Sequence, residues 1–120
     1  MKPKEIKYRV LLVDDEKSTL NALKWDLGSH YEISFATNGQ EALDVVNSSH
    51  IDIVLLDISM PIMYGISALE KIKAIDSNID VVMVSAKKDV QTVVRALKLG
   101  ATDYIDKPID TKKLHETLRV

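Results

Sequence analysis

The stretch Tyr8-Arg9-Val10-Leu11-Leu12-Val13-Asp14-Asp15 decides the fold, because an apolar run of strand length ends abruptly in two carboxylates. A nearly continuous run of β-branched and leucine residues is typical of a strand buried on both faces. Such strands belong to parallel sheets whose helices cover both faces. The stretch therefore predicts an α/β fold whose chemistry lies where the strands end.

The same alternation of a short apolar run and a helical pattern repeats along the chain. The predicted strands are Tyr8 to Val13, Glu32 to Ala36, Ile51 to Leu56, Asp80 to Val84, and Asp103 to Ile105. The predicted helices are Ser18 to Leu27, Gly39 to Val46, Ile66 to Ile75, Val90 to Leu97, and Thr111 to Val120. The fourth helix has the clearest apolar stripe, formed by Val90, Val93, Val94 and Leu97, and such a stripe predicts a face packed on the core.

Strand and helix alternation of this kind indicates parallel strands with helices on both faces of the sheet. Right-handed crossover connections leave few topologies, of which the Rossmann and flavodoxin-like strand orders are the main candidates. Both orders place ligands beyond the carboxyl ends of the strands. We therefore expect functional residues directly after the apolar runs.

Polar residues do follow the runs. Asp14 and Asp15 follow the first, Asp57 the third, Ser85 the fourth, and Lys107 comes soon after the fifth. In a flavodoxin-like order these strands are neighbours about 4.8 Å apart, so Asp15 and Asp57 can face one another and the lysine stem can reach them. Any one of them alone could be a loop residue or a helix cap. Their recurrence at corresponding positions predicts a shared site.

Composition limits the class of protein. A chain of 120 residues fits one compact domain, and its formal net charge of -2 makes direct nucleic-acid binding unexpected. There is no cysteine, which excludes disulfides and thiolate metal sites. We find neither a signal peptide nor an apolar stretch of membrane-spanning length, so we expect a cytoplasmic protein without a membrane partner. His30, His50 and His115 share no ligand spacing, and no metal role is expected for them.

Four motifs resemble the response-regulator receiver family of two-component signalling. They are Val10-Leu-Leu-Val-Asp14-Asp15-Glu16, Leu56-Asp57-Ile-Ser-Met60-Pro61, Val84-Ser85-Ala86, and Gly100-Ala-Thr-Asp-Tyr104-Ile-Asp-Lys107-Pro108. The resemblance covers nearly the whole chain and implies one receiver domain over residues 1–120, with no output domain. It also implies a flavodoxin-like, doubly wound sheet of five parallel strands in the order 2-1-3-4-5.

The resemblance implies a role for each matching residue. Asp57 is expected to accept a phosphoryl group from a sensor histidine kinase or a histidine phosphotransfer protein. Mg²⁺, or Mn²⁺, is expected on Asp14, Asp15, Asp57 and the Ser59 carbonyl, with Asp14 acting through water. Lys107 and the Ser85 hydroxyl are expected to contact phosphoryl oxygens. The family also implies a cis peptide bond at Lys107-Pro108.

A switch is implied as well. Phosphorylation is expected to draw in Ser85 and to turn Tyr104 inward, which alters the surface of the fourth helix, fifth strand and fifth helix. The same surface allows a homodimer. Trp25 lies off the Leu20–Leu23–Leu27 stripe of the first helix, so we expect it to be partly exposed.

Other functions compete with this interpretation. The chain could be a phosphorelay intermediate, or a receiver cut from a hybrid kinase or a longer regulator. A flavodoxin-like electron carrier would place FMN phosphate beside Asp14-Asp15-Glu16, which would repel it. An aspartyl phosphatase would need a second Asp two residues after Asp57, where Ser59 stands. A binding module that has lost phosphorylation would not need the complete acidic and lysine set. We therefore expect a signalling domain and not an enzyme.

Overall fold

The computed structural model describes residues 7–28, 30–58, 65–85 and 90–118. The described residues form strands β1 (Arg9–Val13), β2 (Glu32–Ala36), β3 (Ile53–Asp57), β4 (Asp80–Ser85) and β5 (Asp103–Asp106). The helices are α1 (Lys17–Leu27), α2 (Gly39–Ser48), α3 (Gly65–Ile75), α4 (Val90–Lys98) and α5 (Thr111–Leu118). No helix within these ranges is both long and apolar enough to cross a membrane.

The strands form one parallel sheet in the order β2-β1-β3-β4-β5, which confirms the flavodoxin-like topology. Alternate side chains of each strand enter different cores. Val10 and Leu12 pack with the apolar residues of α1 and α5. Leu11 and Val13 pack with those of α2, α3 and α4. Both faces of the sheet are therefore buried, as the continuous apolar runs predicted.

Three strands, β3, β4 and β5, extend one residue further than the apolar runs predicted. Asp57 is the last residue of β3 and pairs in register with Val84, and Ser85 is the last residue of β4 and pairs with Asp106. The third strand also begins at Ile53 and not at Ile51. Polar side chains end an apolar run without ending the backbone ladder, since the ladder uses only N–H and C=O groups. Asp57 and Ser85 therefore have the fixed backbone of a strand.

The start of α2 depends on local hydrogen bonds. At the start of α2, the Asn38 side chain accepts a hydrogen bond of 2.9 Å from the Glu41 N–H, which caps the helix. The Glu41 carboxylate in turn accepts hydrogen bonds from the Thr37 hydroxyl and N–H, at 2.6 and 2.7 Å. These bonds favour the ionised carboxylate and lower the pKa of Glu41.

The prediction for α4 was wrong in one respect. Its apolar stripe does not face the core: Val90, Val94 and Leu97 are 69%, 43% and 45% exposed, and Val93 is half-buried. Ala96 is the buried residue of the helix. A small side chain brings the helix close to the sheet and leaves the larger apolar residues on the outside. The helix ends at Lys98, and the chain turns at Gly100, the predicted stop, whose φ of 108° lies in the left-handed region that favours glycine.

Candidate functional site

Two acidic residues meet at the carboxyl ends of β1 and β3. The sheet register pairs Val13 with Leu56, so the next residues along, Asp14 and Asp57, are neighbours. Both are buried, at 4% exposure each. The Asp14 N–H donates to the Ala36 carbonyl at 3.1 Å, which continues the β1–β2 ladder by one residue. Two carboxylates are thus held side by side where water screens the repulsion between their charges only weakly.

Lys107 lies between these carboxylates. Its Nζ donates to Asp57 Oδ2 at 3.0 Å and to Asp14 Oδ2 at 3.2 Å. Burial on its own would lower the pKa of Lys107, but the hydrogen bonds and charges of Asp57 and Asp14 outweigh it and raise that pKa above its ordinary value. The lysine backbone is fixed as well, since its N–H donates to the Ser85 carbonyl at 2.8 Å. The peptide bond from Lys107 to Pro108 is cis, as the family resemblance implied.

Asp14 also belongs to an acidic group on the loop after β1. One carboxylate oxygen from each of Asp14, Asp15 and Glu16 lies within 4.8 Å of the others. Asp14 is buried, whereas Asp15 and Glu16 are exposed to solvent. The Glu16 N–H donates to Asp14 Oδ1 at 2.9 Å, which fixes the loop. Clustered carboxylate oxygens beside an open surface are the donor set that hard cations such as Mg²⁺ prefer, so these residues fit a bound divalent ion.

Gly65 allows α3 to begin against the backbone of Asp57. A Cβ atom at this position would lie 2.5 Å from the Asp57 carbonyl oxygen and 2.7 Å from the Ile58 Cα. Any other residue would therefore push β3 and α3 apart. Glycine is required here because of this close approach, a reason that the sequence alone did not reveal.

Ser85 and Tyr104 lie on the β4–β5 pair. Ser85 is 7% exposed and stands beside Asp106 in the register, and Tyr104 stands beside Met83. Tyr104 is half-buried and packs against the core of α2, α3 and α4. The hydrogen bond between its phenol and the Asp106 carboxylate raises the pKa of Tyr104. Ser85, Tyr104 and Asp106 therefore form a connected row that begins at the rim of the sheet.

The structure places most of the expected site residues at one rim. Asp14, Asp57 and Lys107 are joined by hydrogen bonds, and Asp15 is beside Asp14. Ser59 lies outside the described residues. Trp25 was expected to be partly exposed, and the structure shows it 88% exposed. Sequence reasoning missed Glu16 and Asp106 as neighbours of the site, although Glu16 directly follows the Asp pair in the chain.

Comparison with known proteins identifies the same family by sequence. The family model for the response regulator receiver domain matches residues 10–119. The chemotaxis protein CheY of Treponema pallidum is 41% identical over 121 residues, which cover 98% of this chain and 84% of that protein. The transcriptional regulatory protein ZraR of Salmonella typhimurium is 41% identical over 113 residues, or 93% of this chain. The chain spans about a quarter (26%) of the length of that regulator.

Solved structures agree. A CheY-like receiver domain protein from Methanospirillum hungatei has a TM-score of 0.91 and 30% identity, covering 95% of this chain and 92% of that one. CheY of Borrelia burgdorferi, in its CheX-CheY-BeF3-Mg²⁺ complex, has a TM-score of 0.88 and 37% identity, covering 92% and 86%. Because the family model spans nearly the whole chain and a relative of similar length is 41% identical, the chain belongs to the response regulator receiver domain family.

Proposed function

We propose that this chain is a phosphoacceptor domain in which Asp57 receives a phosphoryl group from the phosphohistidine of a sensor histidine kinase or a phosphotransfer protein. A carboxylate oxygen of Asp57 attacks phosphorus, the P–N bond breaks, and the imidazole leaves with the electron pair of that bond. The product is an acyl phosphate on Asp57. The observation that carries the proposal is the shared hydrogen bonding of Lys107 to Asp57 and Asp14 at the carboxyl rim.

Carboxylates that approach a phosphoryl group need their charge compensated. Asp14, Asp15 and Asp57 would hold Mg²⁺ or Mn²⁺ there, and Asp14 would act through water. When bound, this ion supplies positive charge that screens the phosphoryl oxygens from the carboxylates. Support comes from the grouped oxygens of Asp14, Asp15 and Glu16, and from the Mg²⁺ in the Borrelia burgdorferi CheY complex. The Ser59 carbonyl remains part of the proposed ligand set on family grounds alone.

Lys107 has two successive partners in this proposal. Before phosphorylation its ammonium neutralises part of the charge of Asp14 and Asp57, as the distances of 3.2 and 3.0 Å indicate. After phosphorylation the same ammonium pairs with a phosphoryl oxygen. The Ser85 hydroxyl donates a hydrogen bond to another phosphoryl oxygen. Asp57, Ser85 and Lys107 are thus the residues that touch the reacting group.

The row of Ser85, Asp106 and Tyr104 provides a route to the output surface. A shift of Ser85 toward the phosphoryl group opens space beside β5, and Tyr104 exchanges its bond with Asp106 for an inward position. The surface of α4, β5 and α5 changes as a result. The exposed Val90, Val94 and Leu97 of α4 give that surface an apolar partner-binding face, or a homodimer contact.

The donor partner is proposed to dock beside Lys107. A groove there has a volume of about 610 Å³ and lies between α1 and the β5–α5 connection. Small and apolar residues line it, including Ala22, Leu23 and Ile109. Its position beside the buried Asp57 suits a helix that presents a phosphohistidine. The same arrangement suits a phosphorelay intermediate, which would pass the phosphoryl group on to a further histidine.

The test is phosphorylation by acetyl phosphate and Mg²⁺, followed by intact-mass measurement. We expect one added phosphate on the wild type and none on Asp57→Asn. Asp52→Asn is the matched control, since the Asp52 carboxylate lies just before β3 and accepts from the Arg9 N–H. It should gain one phosphate. Equal labelling of Asp57→Asn and wild type, with both variants folded, would refute the proposal.

We also propose that the chain is a signalling domain and not an enzyme acting on a separate substrate. No acidic residue lies two positions after Asp57, where an aspartyl phosphatase carries its second carboxylate. Sustained turnover of p-nitrophenyl phosphate by wild type, lost in Asp57→Asn, would contradict this and establish a phosphatase.

A further inference from the structure

Two histidines that are far apart in the sequence lie together at the other rim of the sheet. The ring centres of His30 and His115 are 5.8 Å apart, and the ring planes are at 89°. They line a pocket of about 610 Å³ with Tyr8, Tyr31, Lys112 and Glu116. Tyr8 and Tyr31 immediately precede β1 and β2, so this pocket is at the amino ends of the strands. The acidic group at the carboxyl ends is roughly 15–20 Å away, the length of a five-residue strand.

Hydrogen bonds and buried leucines hold the backbone at both histidines in place. The N–H groups of His30 and Tyr31 both donate to the Leu27 carbonyl, at 2.9 and 3.2 Å, and Leu27 is fully buried. His115 lies on α5 between Leu114 and Leu118, which are 0% and 2% exposed. The Thr111 hydroxyl donates to Asp26 at 3.1 Å and ties the start of α5 to the end of α1. The two histidines are therefore held together by the fold around them.

The spacing of the rings suits one shared metal ion. A nitrogen ligand lies about 2.0–2.1 Å from Zn²⁺, so the centres of two imidazoles on one tetrahedral ion are about 5–6 Å apart. The observed 5.8 Å falls in this range. Imidazole nitrogens select transition metals such as Zn²⁺, Ni²⁺ and Cu²⁺ over Mg²⁺, which prefers oxygen ligands. Glu116 and Lys112 also lie on the pocket wall, and their opposite charges offset each other, so the two imidazoles are the expected ligands.

We propose that His30 and His115 form a site for a divalent transition-metal ion, distinct from the acidic group at the carboxyl rim. The ion takes one nitrogen from each ring, and water completes its coordination. It links the α1–β2 connection to α5. The proposal departs from the expectation, based on sequence spacing, that the histidines have no metal role. The inference does not depend on phosphorylation of Asp57.

The experiment is isothermal titration calorimetry of the unphosphorylated chain with Zn²⁺ and, separately, with Ni²⁺. Excess Mg²⁺ is present throughout. We expect one equivalent to bind to the wild type. His30→Ala and His115→Ala should each weaken binding by at least about tenfold, because even outer-shell partners of metal ligands contribute about 10- to 100-fold. His50→Ala is the matched control: the third histidine is exposed and pairs with Asp52, and its loss should leave binding unchanged.

A second readout separates coordination from simple ring packing. A metal-bound imidazole must be neutral, so affinity for the ion should fall as the pH is lowered. Bound ion should also raise the unfolding midpoint of wild type and Asp57→Asn alike, but not that of His30→Ala. If His30→Ala and His115→Ala leave binding intact, the two rings only pack edge to face. If His50→Ala removes binding, the ion binds at His50, and the proposal is equally overturned.

Discussion

At the scale of single residues, the charge balance of the acidic rim rests on Lys107. Its side chain is 22% exposed, whereas those of Asp14 and Asp57 are 5% exposed. An ammonium whose pKa is raised by folding stabilises the folded state at every pH below the ordinary lysine pKa of about 10.4. That stabilisation is lost as the pH rises through the higher pKa of the folded chain.

Lys107→Gln should therefore destabilise the chain in a pH-dependent way. Two hydrogen bonds to carboxylates are lost, and two nearly buried charges remain close together without their cation. We expect the free energy of unfolding at neutral pH, without divalent metal, to fall by about 1–3 kcal/mol. The difference from wild type should stay constant up to about pH 9 and close above about pH 10.5. Urea unfolding across this range measures it.

Lys112→Gln is the control for this experiment. Lys112 is on the exposed surface of α5, and removing its charge should change stability by no more than about 0.5 kcal/mol at any pH. If Lys107→Gln behaves like this control, then the ammonium is solvated and does not hold the two carboxylates together.

The same residues show how far a sequence can predict a site. Asp57 and Lys107 could be located because parallel strands bring their carboxyl ends to one rim, and this follows from topology. Gly65 and Asp106 could not be assigned a role in the same way. The importance of Gly65 comes from a 2.5 Å approach to the Asp57 carbonyl, and that of Asp106 from a bond to Tyr104. Such contacts depend on side-chain and backbone placement that periodicity does not encode.

At the scale of elements, α3 and α4 show the limit of apolar periodicity. In α3 the pattern predicts a stripe of Ile66, Leu69 and Ile72, of which Leu69 and Ile72 are fully buried and Ile66 is partly buried. In α4 an equally regular stripe is exposed, and Ala96 makes the close contact. A periodic pattern predicts that a helix has an apolar face. The pattern does not show whether that face packs on the core of its own chain or on another molecule, because either kind of contact removes apolar groups from water.

A matched pair of substitutions tests this difference between the helices. Leu69→Ala removes a fully buried side chain and should lower the free energy of unfolding by about 2–5 kcal/mol. Leu97→Ala makes the same chemical change in a helix, but at a residue that is 45% exposed. We expect it to cost less than about 1 kcal/mol. Chemical denaturation of both variants measures the values, and similar losses would mean that α4 packs its stripe inward in solution.

At the scale of the whole molecule, the parallel sheet separates two kinds of chemistry. Every strand points its carboxyl end at the acidic rim, and the amino ends carry the histidine pocket. The two helices α1 and α5 cover the same face of the sheet. Residues of α1 line the groove beside Lys107, and α5 carries His115 of the histidine pocket. A ligand at either rim that binds only the folded chain stabilises the whole domain, since a domain of this size unfolds as one unit.

Mg²⁺ should therefore stabilise the chain, and the variants that remove this effect should define its ligands. A ligand at a hundred times its Kd adds about 2.7 kcal/mol to the free energy of unfolding. Thermal unfolding with increasing Mg²⁺ should show a rising midpoint for the wild type. Asp15→Asn should remove most of the rise without unfolding the chain, because Asp15 is exposed.

Glu16→Gln is the control and should keep most of the rise in midpoint, because the proposed ion lies between the loop after β1 and Asp57, and Glu16 is not among its proposed ligands. If Glu16→Gln removes the rise as completely as Asp15→Asn, the ion belongs to the Asp14, Asp15 and Glu16 cluster alone. Asp57→Asn would then leave the Mg²⁺ effect unchanged, and Asp57 would not be a metal ligand.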